Sequence, residues 1–304
     1  MCFKFYSMLL LGLGYVLHAA AVSHDSLPLP PTVASNATLA LLSSRFVFTE
    51  GPAADKKGNV YFTDQPNNKI WKYDTHGKLS VFLDQAGRAN GLFFDRKGML
   101  IACADEKDEL WAISPKGNVT VLVNNFGGHR LNGPNDVWVA PNGGIYFTDP
   151  YYQRDYWNRK TADIKEERVY YLAPGAKEAI VAADDLKKPN GILGTRDGKL
   201  LYIVDIGTGK NYSYQIAPDG SLHNRQLLVE KVTSDGLALD AAGNVYLCGN
   251  GITVVNKNGQ QIGYIPVPEH WTGNACFGGK DNNILFITAG KSVYTLKMSV
   301  KGGE

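Results

Sequence analysis

Hydrophobic residues in this chain fall in short runs, rich in Val, Ile, Tyr and Phe and bounded by Gly, Asn, Asp and Pro. Residues 131–149 show the pattern most clearly. A polar segment ending at Asn135 leads into a short apolar run, then Pro141-Asn-Gly-Gly144, then a second apolar run closing on Asp149. Turn residues between two β-prone runs predict a hairpin. Further runs at 69–73 and 79–83, 109–113 and 119–123, and 169–172 and 179–182 predict paired strands. Their alternation is modest, as expected for sheets packed on both faces. The pattern is all-β.

The hairpin recurs. Residues 49–64, 89–105, 189–205, 234–247 and 273–288 repeat its order of parts, so the chain carries six copies. Each opens on a carboxylate or carboxamide: Glu50, Asn90, Asn135, Asn190, Asp235 and Asn274. The intervals (50→90→135→190→235→274) are 40, 45, 55, 45 and 39 residues. Periods of about 40–50 residues with several short strands per unit predict propeller blades. The fold expected is a six-bladed β-propeller over 37–304. Its last copy leaves too few residues for a full blade, so a strand from 37–48 is expected to close the ring and remove an exposed edge.

In a propeller the first strand of each blade lines the central channel. Six oxygen-bearing side chains at one repeat position would then face one axis, two of them anionic. That is a donor set for a hard cation, and Ca²⁺ takes 6–8 oxygens where Mg²⁺ holds a tighter octahedron. No Cys or His stands in the ring, which argues against a structural zinc or copper site. Asn, Asp and Gly are also ordinary turn residues; the metal reading rests on all six positions together. The aspartates ending the second strands, Asp64, Asp105, Asp149 and Asp205, read mainly as turn acceptors, with Asp149 placed near the channel.

Composition narrows the picture further. The 304 residues carry a formal net charge of +2 with neither sign in blocks, which points away from nucleic acid or a membrane surface as partner. At the N-terminus, Lys4, an apolar run over 8–17 and Ala19-Ala20-Ala21 read as a signal peptide over 1–21, too short for an anchor. The mature protein is expected to be periplasmic or secreted, with 22–36 as a leader over the surface. Cys103, Cys248 and Cys276 fall in predicted strands of different blades and are expected as unpaired core thiols. The longest interval holds Tyr151, Tyr152, Tyr156 and Trp157 beside Arg154 and Arg159, a mix suited to stacking on and hydrogen-bonding a sugar-like ligand. No Gly-x-Ser-x-Gly elbow is present, and the six histidines show no triad or metalloprotease spacing.

Thr49-Glu-Gly-Pro52, Arg130-Leu-Asn-Gly-Pro-Asn-Asp136, Tyr146-Phe-Thr-Asp-Pro-Tyr-Tyr152, Lys188-Pro-Asn-Gly191, Ser234-Asp-Gly236 and Cys276-Phe-Gly-Gly-Lys280 stand together in this chain. The set resembles the gluconolactonase / regucalcin (senescence marker protein) / luciferin-regenerating enzyme family, and within it the bacterial gluconolactonases. The resemblance implies a six-bladed propeller, a divalent metal in the channel and hydrolysis of a sugar lactone. The metal would be Ca²⁺, with Mg²⁺, Zn²⁺ or Mn²⁺ as alternatives. Glu50, Asn190 and Asp235 match the family's ligands, and Asn135 matches an asparagine that serves as ligand or substrate contact. Asp235 is implied as the catalytic residue, either as general base or as nucleophile. Asn90, Asn135, Asp149, Tyr151 and Tyr152 are the expected substrate contacts. The family's sugar-contacting arginine has no clean counterpart, since Arg130 is offset by Gly133-Pro134. The competing readings are a related esterase or phosphotriesterase, and a non-catalytic propeller in which the metal is a structural pin.

Overall fold

The computed structural model describes residues 28–303. The 1–21 segment lies outside them, as does the beginning of the leader. Six separate four-stranded antiparallel sheets account for the strands. Five of them are built from consecutive hairpins, because two-strand runs joined by tight turns place sequential strands side by side. The first blade runs outward from Thr49–Ala54 through Val60–Asp64 and Lys69–Tyr73 to Leu79–Asp84. The inner strands of the other five are Leu92–Phe94, Val137–Val139, Pro189–Gly194, Ser234–Leu239 and Thr272–Gly278. This is the six-bladed propeller that the repeat predicts.

Closure comes from both ends of the chain. The sixth blade takes Thr272–Gly278, Ile284–Ala289 and Ser292–Lys297 from the C-terminal end, and Ala40–Ser43 pairs antiparallel with Ser292–Lys297 as its outer strand. The preceding leader is held too: the Tyr264 amide donates to the Pro28 carbonyl, and Val33 bridges to Met298.

The core lies between blades. Trp138, Tyr146, Tyr171 and Tyr202 of two neighbouring blades share one buried cluster, while Phe46, Phe62 and Phe286 join the first blade to the sixth. Gly194 makes this contact possible, since a Cβ there would overlap the Trp138 indole. Cys103, Cys248 and Cys276 are buried and unbridged.

The repeated Phe-Thr-Asp ending of the second strand now has a mechanical meaning. Its threonine braces the next blade: Thr63 Oγ1 donates to the Asn90 carbonyl at 3.0 Å, and Thr148 Oγ1 to the Asn190 carbonyl at 2.8 Å. Its aspartate clamps the loop entering its own blade. Asp64 accepts from the amides of Val47 and Phe48, Asp149 from Asn132 and Gly133, and Asp205 from Lys187 and Lys188. One residue holds the neighbour and the next holds the blade itself.

Candidate active site

The six ring residues sit at the inner end of their blades. In four blades the ladder slips register at this point: between Glu50 and Ala53, Pro189 and Ile192, Ser234 and Leu237, and Thr272 and Asn274. Such bulges re-aim a side chain out of the regular alternation. The residue after the ring position is Gly51, Gly91, Gly191 and Gly236 in four blades. A Cβ on any of them would overlap the adjoining blade: Asn90 against Gly51, Asp136 against Gly91, Asp235 against Gly191, and Asn274 against Gly236. These glycines let neighbouring inner strands approach closely, which draws the ring residues together.

Blade 3 breaks that rule. Asp136 occupies the glycine position, and its carboxylate reaches across the channel. Oδ1 accepts from the Val137 amide at 2.9 Å, and Oδ2 from the Ile192 amide at 3.3 Å and Asn274 Nδ2 at 3.4 Å. Glu50, Asp136 and Asp235 are thus three carboxylates facing one channel. Burial pushes Glu50 well above the usual carboxylate range, with the charges of Asp235 and then Asp136 adding to the rise. Burial pushes Asp136 up to about 7, against hydrogen bonds from Val137, Ile192 and Asn274 that favour its charge. Asp235 is raised by burial too, opposed by hydrogen bonds from Trp271 and Asn190 and by the charge of Arg154.

Further contacts fix the rim. Trp271 Nε1 donates to Asp235 Oδ2 at 2.6 Å. Asn190 Nδ2 donates to the Tyr152 hydroxyl at 3.0 Å. The Asn90 and Asn135 side chains are buried, yet neither amide has a hydrogen-bond partner among the described residues, and Glu50 Oε1 likewise has none. Oxygens left without protein partners beside three mutually repelling carboxylates fit a hard divalent cation. Among the described residues no three His, Cys, Asp or Glu side chains form a metal cluster by themselves. A cation in this ring would draw on asparagine oxygens as well as on Glu50 and Asp235, as calcium sites do.

Other expected contacts lie elsewhere. Asp149 is fully buried and both of its oxygens are taken by the Asn132 and Gly133 amides, so it is a clamp and not a channel residue. Tyr151 faces the loop interior: its ring lies 5.8 Å from that of Trp157 and its hydroxyl donates to Gln153. Of the two tyrosines, only Tyr152 meets a ring residue. His129 is exposed and exchanges backbone hydrogen bonds with Phe126, while Arg130 pairs with Asp108 and Asp163 away from the ring.

A family model described as the SMP-30/Gluconolactonase/LRE-like region matches residues 48–291. The chain belongs to that family. It is 28% identical over 294 residues to the gluconolactonase of Zymomonas mobilis, covering 86% of this chain and 82% of the relative. A solved gluconolactonase from Xanthomonas campestris superposes with a TM-score of 0.81 at 27% identity, over 88% of this chain and 95% of the other. The calcium-binding regucalcin of Agrobacterium tumefaciens shares the fold, with a TM-score of 0.72 at 18% identity over 88% and 95%.

Two residues of this candidate site, Asp136 and Trp271, are not among those the sequence singles out, and a third, Arg154, is marked there only as part of a loop suited to a sugar-like ligand. Asp136 was legible, because the position after each ring residue reads Gly, Gly, Asp, Gly, Gly, Ala across the blades. Trp271 stands just before the sixth copy, outside the repeated pattern. No spacing signals that the charge of Arg154 acts on Glu50 and Asp235.

Proposed function

We propose that this protein is a metal-dependent lactonase that opens a sugar lactone of the gluconolactone type. The carrying observation is the ring of partnerless oxygens on Glu50, Asn90 and Asn135 beside Asp235. Kinship with gluconolactonases supports the reaction class. A divalent cation, Ca²⁺ in our reading, would be held by Glu50, Asn135, Asn190 and Asp235, and would polarise the lactone carbonyl and acidify water.

The chain's own residues supply the rest. Asp235 takes a proton from the attacking water as its oxygen bonds to the carbonyl carbon. The ring C–O bond then breaks, and the proton passes to the departing alkoxide, giving a hydroxy acid. The Trp271 indole N–H fixes one Asp235 oxygen and so orients the carboxylate. Coordination to the cation would keep Asp235 ionised near neutral pH, the form a general base needs. Asn135 and Tyr152 border the substrate's approach, Tyr152 through its bond to Asn190. We further infer export through the 1–21 segment, which mass determination of the mature N-terminus would check.

The test is hydrolysis of glucono-1,5-lactone after chelation and after return of Ca²⁺, Mg²⁺, Zn²⁺ or Mn²⁺. Turnover should vanish with chelator, return with metal, and fall by about a thousandfold or more in Asp235→Asn while circular dichroism is unchanged. Turnover indifferent to metal would sink the proposal. Loss of the β signal on chelation would favour the structural pin.

A further inference from the structure

The four aspartates that end second strands occupy one repeat position, but they do not perform one job. Asp64, Asp149 and Asp205 each clamp two backbone amides of the loop entering their own blade. Asp105 does not. The corresponding Arg88 amide is taken instead by Asn68 Oδ1 at 2.7 Å. Asp105, released from that duty, is buried and gathers three side chains on its Oδ2: Gln65 Nε2 at 2.7 Å, Arg154 Nε at 2.7 Å and the Tyr156 hydroxyl at 3.0 Å. Gln65 follows the second strand of blade 1, and Arg154 and Tyr156 come from the long loop of blade 3. The arrangement ties that loop down across blade 2.

The anchored group is Arg154. Asp105 engages only its Nε, and neither Nη amino group donates to another described group. The Arg154 side chain retains 23% exposure. Its guanidinium carbon stands 5.4 Å from the centre of the Tyr152 ring, whose hydroxyl meets Asn190. Its charge acts on both Glu50 and Asp235. The other loop arginine, Arg159, is consumed by Asp108 and by the Leu131 and Asn132 carbonyls. Arg154 therefore presents a fixed, half-used donor fork over the mouth of the ring.

We propose that Arg154 is a specificity-determining residue that hydrogen-bonds the hydroxyl groups of a polyhydroxylated lactone, with Asp105 as its positioning residue. The proposal rests on the lactonase reading and names its substrate class: a lactone hydroxylated beyond the carbonyl, not a bare aliphatic one. The planar fork suits neighbouring hydroxyls in a way that a lysine ammonium does not. These contacts are remote from the reacting carbon, so they hold substrate and transition state alike and act on KM.

The experiment compares the wild type with Arg154→Met, Arg154→Lys and Asp105→Asn, in the metal-loaded full protein. With glucono-1,5-lactone, Arg154→Met should raise KM about tenfold or more and leave kcat within about threefold. Arg154→Lys should recover only part of the loss, and Asp105→Asn should shift KM in the same direction. Calorimetric titration with gluconate, a product-like polyol, should show affinity reduced by a similar factor in Arg154→Met. A fall in kcat at constant KM would place Arg154 on the reacting carbonyl and overturn the proposal. Unchanged KM and unchanged gluconate affinity would overturn it as well. If the wild type opens no lactone, the lactonase reading fails while the gluconate titration still decides Arg154: weakened binding in Arg154→Met upholds its role, and equal or absent binding ends it.

Discussion

At the residue scale, the site depends on side chains that are missing. Gly273 stands beside the Glu50 carboxylate, and a Cβ there would overlap Oε1. That oxygen is the far end of a flexible side chain, so Gly273→Ala would displace the carboxylate more easily than the backbone. We expect its melting temperature to fall by only a few degrees, for a cost of about 1 kcal/mol. Calcium affinity should weaken about tenfold or more, because carboxylate placement governs such sites. Calorimetric titration with Ca²⁺ beside a thermal melt checks this; full affinity would mean that Glu50 does not hold the ion. Glu50, Asn135, Asn190 and Asp235 were readable because a repeat position marks them. Asp136 stands out as a break in the glycine pattern, but the groups its carboxylate reaches, Ile192 and Asn274, lie on other blades and no local pattern shows them.

At the element scale, the hairpin repeat foretold six blades, the two-ended closure and the buried thiols, since strand length, turn chemistry and periodicity are local properties. The roles of equivalent residues were not local. Asp105 and Asp149 look alike in sequence, yet one anchors an arginine from another blade and the other clamps its own loop. Two neighbours make the difference: Asn68 takes the Arg88 amide, and the long loop between Asp149 and Arg168 brings in Arg154, its path following from packing of Trp157 under Arg159, 3.8 Å from ring to guanidinium. The clamp can be tested directly. Asp149→Ala would leave the buried Asn132 and Gly133 amides unpaired. Loss of charge-assisted bonds together with orphaned donors should cost about 3 kcal/mol. Because the clamped loop leads to Asn135, kcat/KM should drop alongside the midpoint of urea unfolding. A stable variant with full turnover would return Asp149 to a minor part.

At the scale of the whole molecule, closing six blades around one axis concentrates charge that the fold must tolerate. Glu50, Asp136 and Asp235 all have carboxyl pKa values raised by burial, Asp136 to about 7. The sign follows from linkage. In the window between the unfolded carboxylate value of about 4 and the raised folded value, the native state binds more protons than the unfolded chain. Stability from these groups is therefore fully present at low pH and is lost as pH rises towards 7. A divalent cation held as proposed would oppose this loss, because it would bind the ionised carboxylates of the native state and stabilise by mass action. The chelated protein should thus lose melting temperature between about pH 5 and pH 8, whereas the protein in excess Ca²⁺ should lose little. The gap between the two curves should widen with pH. Thermal melts across that range, in chelator and in Ca²⁺, measure it directly. A constant gap would mean that the ion binds away from these carboxylates, and coincident curves would remove the channel cation altogether.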